Sequence, residues 1–426
     1  MVSGQNGNWT GWRGNDGSGI STETNLPTEW NATKNIAWRT AIKGRGHSSP
    51  IVWGNRIFLT TSIEGQIIPG AEAIRHIHKG QEYRHPDSVG ADHSHAIKLI
   101  CLDSESGKVI WDKTVHEGRV LDNRHRKNTY ASTTPVTDGK FVYLSLEAEG
   151  LFCYDFEGKR VWKTAFGNIA KGGLGPGTSP VLFENLVILQ CDQEYGETSF
   201  LAAFDKQTGK PIWRVQRTHR RSWATPLIIK VENHFELVTS GAESVIAYDP
   251  ATGKEIWRAP GVESNAIPSP VTGHNMVYVS AGSEAKRALA IRLGGKGDLA
   301  NTPNLVWQFD KATAYVPSPI LYGEYLYLVT DTGVLTCLEA KTGKLIYQAR
   351  LPIAAQFTAS LTAFDEKLLM ISEDGDAFIL KAGASPQVIS VNSIDEPVYA
   401  SPAIANGKLF LRGEKNLYCI KKLSDK

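Results

Sequence analysis

Short apolar runs recur along this chain inside one repeated phrase. Each copy opens on Ser or Thr, followed in all but one copy by Pro, and continues as apolar runs of four to six residues separated by Gly, Asn or Asp. The eight openings are Ser49, Thr134, Ser179, Thr225, Ser269, Ser318, Ser360 and Ser401. Short β-rich runs bounded by turn residues predict strands, four in each copy.

The connections between these runs are short. Turns such as Gly54-Asn55 and Asp138-Gly139 leave no room for a parallel crossover, so neighbouring strands should be antiparallel. One small four-stranded sheet cannot bury both of its faces, whereas eight sheets arranged radially can. The sequence therefore predicts an all-β fold, an eight-bladed β-propeller of four-stranded antiparallel blades.

The two ends of the chain predict how the ring closes. The last copy supplies only three strands, while an apolar run at 36–41, which carries Trp38, precedes the first copy. We expect this N-terminal strand to complete the last blade, leaving no open edge at the seam. The predicted organisation is an N-terminal extension at 1–35, one propeller domain at 36–420 and a tail at 421–426.

Each copy also ends on a recurrent phrase of an acidic residue, a Gly-Lys turn and Trp, as from Asp205 to Trp213. The Trp position predicts packing between blades rather than a substrate platform. Four of the five cysteines share a second repeat position, which is Ala or Ile in the other copies. A position that accepts Ala, Cys and Ile predicts core thiols rather than metal ligands or disulfides.

The Ser/Thr-Pro opening combined with Asp-x3-Gly-Lys-x2-Trp resembles the pyrroloquinoline-quinone-like (PQQ-like) propeller repeat family, over 36–420. Its members include quinoprotein alcohol dehydrogenases, the propeller lipoprotein of the outer-membrane barrel-assembly machinery, and uncharacterised secreted proteins. The segment 8–19 is similar to the opening of that last group. The resemblance implies a possible quinone cofactor, but the chain lacks adjacent cysteines and the usual extra length. Its residues therefore do not favour quinone binding.

Charge and hydropathy exclude several classes of partner. The formal net charge of +2 gives no overall attraction to nucleic acid, and no stretch of 18 apolar residues predicts a transmembrane helix. Residues 1–7 are polar and short, unlike a signal peptide. The family resemblance nevertheless favours a periplasmic or secreted protein, which we expect to be a monomer.

Candidate chemistry gathers on one predicted face. In antiparallel blades, links between the second and third strands emerge on the same face as links between blades. The insertion 63–95 in the first blade and the long links between blades lie on that face, which carries nine of the eleven histidines. Binding groups accumulate on loops held by a rigid scaffold. We call this loop-rich face the mouth.

Two interpretations of this mouth involve catalysis. His93 and His95 alternate along an extended segment and could bind a divalent metal such as Zn with His85, Asp87 and Asp92, which would support a metal-dependent hydrolase. Without a metal, a polysaccharide lyase could neutralise a carboxylate and abstract a proton. The candidate catalytic residues are His47, His125, Arg126, Tyr130, Arg220 and Arg221.

The leading interpretation is binding without redox chemistry. The mouth would take a small-molecule, carbohydrate or anionic ligand, or a protein partner. The candidate ligand-binding residues are Arg45, Asn128, Trp223, Tyr315, Gln356 and Tyr399. No nucleophile elbow, phosphate loop or zinc-finger spacing identifies a particular reaction.

Overall fold

The computed structural model contains eight antiparallel four-stranded sheets arranged around one axis, which confirms the predicted propeller. It describes residues 7–71, 76–78, 81–83, 85–167, 174–193, 198–263, 265–353 and 355–423. The strands of blades 1 to 4, counted outward from the axis, are Ile51–Trp53, Arg56–Ile67, His93–Asp103 and Val109–Arg119; Val136–Thr137, Phe141–Ser145, Leu151–Asp155 and Arg160–Thr164; Val181–Phe183, Leu186–Cys191, Phe200–Asp205 and Pro211–Gln216; and Leu227–Val231, His234–Thr239, Ser244–Tyr248 and Glu255–Pro260. Those of blades 5 to 8 are Val271–Gly273, Met276–Ala281, Arg287–Arg292 and Leu305–Phe309; Ile320–Tyr322, Tyr325–Val329, Val334–Glu339 and Leu345–Arg350; Thr362–Phe364, Lys367–Ile371, Asp376–Lys381 and Gln387–Ser393; and Ala403–Ala405, Lys408–Arg412, Asn416–Ile420 and Ile36–Ala41.

Blade 8 is completed from the N-terminal side, as the sequence predicts. The strand Ile36–Ala41 pairs antiparallel with Asn416–Ile420, and Trp38 lies opposite Cys419. Two distant parts of the chain therefore close the ring through one shared sheet.

The Ser/Thr of each opening joins one blade to the next. The backbone N–H of each such residue donates to the hydroxyl of the corresponding residue one blade on, over 2.9 to 3.2 Å, in seven successive pairs from Ser49 to Ser401. Seven of the eight blades thus supply an accepting hydroxyl to this Ser/Thr ring around the axis, while blade 1 supplies the backbone N–H of Ser49. This ring explains why the repeat keeps a hydroxyl residue at its opening.

The second phrase of the repeat has an equally direct role. The indole Nε1 of Trp162 donates to the backbone oxygen of Lys206, in the Gly-Lys turn of the next blade, at 2.9 Å. In that turn Gly209 has φ +69°, and a Cβ there would lie 2.5 Å from the Trp162 ring. Asp205 accepts hydrogen bonds from the N–H groups of the same turn. The same Trp-to-turn bond recurs from Trp38, Trp111, Trp213 and Trp307.

Four of the five cysteines lie in the packing column that the sequence indicates, and Cys191 lies in a second strand. The partners of those four across the blade are the aromatic residues of the fourth strand, as in the pairing of Cys153 with Trp162 and of Cys337 with Tyr347. All five are buried free thiols.

The chain before Ile36 crosses the end of the channel opposite the mouth. Trp9 pairs with Val52 in blade 1, Thr10 accepts a hydrogen bond from blade 2, and Gly19 accepts one from Ala363 in blade 7. The segment 8–21 thus contacts the inner strands of blades 1, 2 and 7. It continues as Ile20–Ser21, which adds a parallel strand to blade 7.

Blade 7 lacks the repeat's aromatic residue, since Ser390 stands opposite Ile379. An aromatic residue there would have no partner, because the next blade, blade 8, has no Gly-Lys turn. Its third and fourth strands come from opposite ends of the chain. The buried ring of Trp30 packs into the core that blades 7 and 8 share, and its backbone N–H donates to Asn392 at 2.8 Å.

Blade 1 departs from the expected short strands. Its second strand runs for 12 residues and its third and fourth for 11 each, so all three project past their counterparts. Within the described residues the single helical segment is the 3-10 turn Glu147–Glu149. No helix in that part of the chain is long and apolar enough to cross a membrane.

Candidate functional site: the axial cavity

A cavity of about 450 Å³ lies on the propeller axis at the mouth. Its wall is built from one repeated position, the residue two places before each Ser/Thr opening, and all eight copies contribute. These wall residues are His47, Ser132, Gly177, Trp223, Ile267, Val316, Thr358 and Tyr399. Below them, hydroxyl residues of the Ser/Thr ring form the next layer.

Trp12 forms the floor of this cavity. Its indole Nε1 donates to the hydroxyl of Ser269 at 2.9 Å, which fixes the ring inside the channel. Trp12 also borders a second cavity of about 100 Å³ on its other side, lined by inner strands and by residues of segment 8–21. The indole therefore separates the mouth cavity from the far end of the channel.

A short arm, residues 124–128, crosses part of the mouth. Its start pairs antiparallel with Ser88–Val89 of the blade 1 insertion. Lys127 reaches across to blade 7 and the link before it, donating to Glu373 and Gln356 at 3.0 Å each. Asn128 anchors the end of the arm by donating to the backbone oxygens of Leu174 and Pro176. Part of the cavity therefore lies under a bridged entrance.

The histidines at the cavity are held largely neutral. Burial, helped by the positive charges of Arg45, Arg412 and Arg124, lowers the pKa of His47 to about 3. Its ring stacks on Tyr399 with centroids 4.5 Å apart. Burial also lowers the pKa of His125, against the opposing effect of Asp87. At neutral pH both imidazoles can accept or donate hydrogen bonds without carrying charge.

The lining combines flat aromatic surfaces with a few oriented polar groups. Trp223 is fixed by a hydrogen bond from its Nε1 to Gly175 and by Arg221, whose guanidinium lies 5.4 Å from the ring centroid. Thr358 donates to the carboxylate of Glu373, which also accepts from Lys127. Sites of this composition hold a small molecule by contact with its faces and orient it by a few hydrogen bonds.

Five of the six predicted ligand-binding residues line the cavity: Asn128, Trp223, Tyr315, Gln356 and Tyr399. Arg45 does not, since its guanidinium pairs with Glu414 at 3.1 Å.

The candidate catalytic residues are more dispersed. His47 and His125 line the cavity, whereas the other four do not. Arg126 pairs with Asp87 at 2.5 Å and Arg220 with Glu243 at 2.9 Å, both with exposed side chains. These two arginines are therefore engaged outside the cavity.

The remaining two candidates lie behind the cavity wall. Tyr130 is buried, donates to the backbone oxygen of Asp122, and has its pKa raised by burial. Arg221 is buried and pairs with the Asp122 carboxylate at 3.3 Å. The structure thus brings two of the six candidates together at the cavity, and their catalytic roles stay predictions.

The candidate metal ligands have separate partners. His93 contacts Asp92 at 2.9 Å, while His95 is buried between Ser62 and the backbone oxygen of Gly90. Asp87 pairs with the arm, and the ring of His85 accepts the N–H of Asp87. In the described part of the chain no group of three or more His, Cys, Asp or Glu is placed to hold a metal. The residues there do not form a complete ligand set, and the metal stays a prediction.

The described residues of the insertion support the arm and do not line the cavity. The side chains of His76 and His78 lie outside the described part of the structure.

Sequence reasoning missed several lining residues, among them Trp12, Lys127, Asp331, Thr358 and Glu373. The repeat contains a usable signal for the wall, because the position two before each opening is occupied by unrelated residue types in different copies. A position that varies while its neighbours repeat is where the scaffold leaves freedom for binding. No comparable signal identifies Trp12, which lies outside the repeats.

Comparison with solved structures finds several proteins similar to this chain. A crystal structure of quinohemoprotein alcohol dehydrogenase from Comamonas testosteroni is 12% identical, with a TM-score of 0.67, over 98% of this chain and 81% of that one. The computationally designed protein Ika8 is 12% identical, with a TM-score of 0.54, over 84% of this chain and 98% of that one. BamB from Moraxella catarrhalis is 12% identical, with a TM-score of 0.42, over 90% of this chain and 99% of that one. At these identities the likeness concerns the fold alone.

No curated protein matches the chain significantly. A family model described as outer membrane protein assembly factor BamB matches residues 16–192, 197–352 and 297–382. Those matches span most of the propeller and carry the repeat phrases described above. The chain therefore belongs to this family of PQQ-like propellers.

Proposed function

We propose that the axial cavity binds a small polar ligand with at least one flat face. The observation that carries this proposal is the cavity's construction, in which one repeat position of all eight copies contributes to the wall and Trp12 closes the floor. A volume of about 450 Å³ suits a molecule of one or two rings.

The character of the lining supports this ligand class. Trp223, Tyr315 and Tyr399 offer flat apolar surfaces, and the amide group of Gln356 lies beside them. The arm and its Lys127 contacts can limit exchange with solvent. Binding without redox chemistry requires nothing beyond these groups.

We further propose that the protein acts outside the cytoplasm and that its rim can contact a protein partner. The supporting observation is membership of a family described as an outer membrane protein assembly factor. The arm crosses part of the mouth beside Ser88–Val89 of the insertion, where such a partner would meet it.

The test of the cavity uses two matched Val→Trp substitutions. Val316 lies in the cavity wall, and Val161 is exposed on the outer strand of blade 2. Calorimetric titration with benzoate, benzamide and glucose measures binding to each variant. We expect at least one compound to bind the wild type, with affinity falling about 10-fold or more in Val316→Trp, because the indole fills the space.

Val161→Trp should bind like the wild type, since its new ring faces solvent. Equal binding by both variants would place the site elsewhere, and no binding of any compound to the wild type would contradict the proposal.

A further inference from the structure

Arg412 interrupts a repeat position that is small or uncharged in every other blade. In blade 8, Ala403 of the first strand pairs with Phe410 of the second strand, and Arg412 lies two residues after Phe410. The equivalent positions in blades 1 to 7 are Thr60, Ser145, Gln190, Ser240, Ser280, Val329 and Ile371. Blade packing therefore does not require a guanidinium at this position.

The guanidinium of Arg412 is buried without a hydrogen-bond partner. The residue is 1% exposed, and Nε, Nη1 and Nη2 all lack an acceptor among the described residues. The nearby carboxylate of Glu396 offsets part of the charge, but its oxygens accept from Lys415 and Asn416. A buried charge that lacks hydrogen bonds is strongly unfavourable, so a partner is expected.

Two further polar atoms on this side of the ring lack partners. His47 Nε2 and Ser49 Oγ are both buried and without a hydrogen bond in the described structure. Ser49 is also where the Ser/Thr ring stays open, since each of the other seven hydroxyls accepts from the preceding blade. The unpaired groups thus coincide with the seam between blades 8 and 1.

Backbone pairing places Arg412 close to the cavity wall. Gly413 forms an antiparallel bridge with Val398. Arg412 precedes Gly413 and Tyr399 follows Val398, so both residues adjoin this bridge. Tyr399 stacks on His47, and both line the cavity. Arg412 itself does not line it. Ser49 does not line it either, so contact of Arg412 and Ser49 with a bound molecule would require the His47 ring to turn away from Tyr399.

We propose that Arg412, with His47 and Ser49, binds the carboxylate of a small organic acid held in the axial cavity. The guanidinium fork matches the two oxygens of a carboxylate, and the neutral imidazole and the hydroxyl can each donate one more hydrogen bond. This inference rests on the proposed ligand-binding function, and it names the ligand's charged group.

The test compares benzoate with its neutral isostere benzamide. Calorimetric titration should show the wild type binding benzoate at least about 10-fold more tightly, because charge-assisted hydrogen bonds are stronger than neutral ones. Arg412→Ser, which restores the common repeat residue, should remove that preference while retaining benzamide binding. Its melting temperature should not fall, since the substitution removes an unpaired buried charge.

Arg45→Gln is the matched control, because Arg45 lies near the same seam but pairs with Glu414 outside the cavity. It should keep the benzoate preference. Ser49→Ala offers a milder second variant and should reduce the preference in part.

Equal binding of benzoate and benzamide by the wild type would overturn the carboxylate assignment and leave the cavity proposal intact. A benzoate preference that survives in Arg412→Ser would also overturn it. Stronger binding of phenylphosphonate than of benzoate would contradict the choice of carboxylate. Suppose that Val316→Trp loses all binding, while neither the wild type nor any other variant distinguishes benzoate from benzamide. That result would support ligand binding in the cavity and reject the role of Arg412 in binding a carboxylate.

Discussion

The Gly-Lys turn shows how one residue can serve two constraints. Gly209 adopts a left-handed conformation that favours glycine, and its missing side chain leaves room for the indole of Trp162 from the preceding blade. The same close approach recurs between Gly253 and Trp213. Turn geometry and blade packing are therefore specified at one position.

Replacing Gly209 with Ala separates these two constraints. The left-handed backbone should cost about 1 to 2 kcal/mol, and displacement of Trp162 should bring the total loss in free energy of unfolding to about 3 kcal/mol. Gly54→Ala is the matched control, because Gly54 has φ +57° with nothing within 4 Å of an added Cβ. Urea denaturation of both variants measures the difference, and equal losses would contradict a role for the Trp contact.

Glu149 is a buried acid with a predictable effect of pH. Burial raises the pKa of its carboxyl to about 7 from 4.5, although Oε1 accepts a hydrogen bond from the Leu121 N–H. The folded state therefore holds this proton more tightly than the unfolded state. The stability from this group is full below about pH 4.5 and is lost as pH rises toward 7, by about 3 kcal/mol.

Glu149→Gln cannot ionise and should remove this loss. Denaturation midpoints measured from pH 4.5 to 8 should show the variant gaining stability over the wild type as pH rises. Glu232→Gln, at an exposed turn, is the control and should run parallel to the wild type. A constant difference between Glu149→Gln and wild type would refute the assignment.

Among elements, the blades were the most predictable and the arm the least. Hydrophobic runs, turn residues and the opening phrase specify each blade locally, so strand number and pairing follow from the sequence. The arm contains no repeated sequence pattern. Its Lys127 donates a hydrogen bond to Glu373, which lies 246 residues away. Contacts of that kind follow from ring closure and from side-chain geometry, which no local pattern encodes.

The same distinction applies to the site residues. Trp223 and Tyr399 could be placed at the mouth because their links belong to the repeat. Tyr130 and Arg221 lie in links of the same kind, each two residues before a wall residue, yet both are buried behind the wall. Simple alternation along a link therefore does not decide which side chains face the cavity. The face of the propeller was predictable, whereas the direction of each side chain required the structure.

The whole molecule depends on closure of the ring at one seam. Blade 8 contains three strands from the end of the chain and one from near its beginning. An incomplete sheet would expose unpaired backbone groups along Asn416–Ile420 and invite pairing with another chain. We therefore predict that pairing with other chains is prevented by a single N-terminal strand.

Two truncations test this dependence. Removing residues 1–35 keeps the strand Ile36–Ala41 and should leave a closed monomer with lowered stability, because Trp9 and Trp30 are lost from the core. Removing residues 1–41 deletes that strand as well and should produce dimers or aggregates. Light scattering at matched concentration distinguishes the two, and a stable monomer without residues 1–41 would refute the role of the seam.

Trp12 closes the axial cavity at its inner end, so the cavity opens only at the mouth. A ligand bound as we propose would have to enter and leave by the same opening, past the contact of Lys127 with Glu373. A long polymer could insert only an end or a side group, because nothing can be threaded from one face to the other.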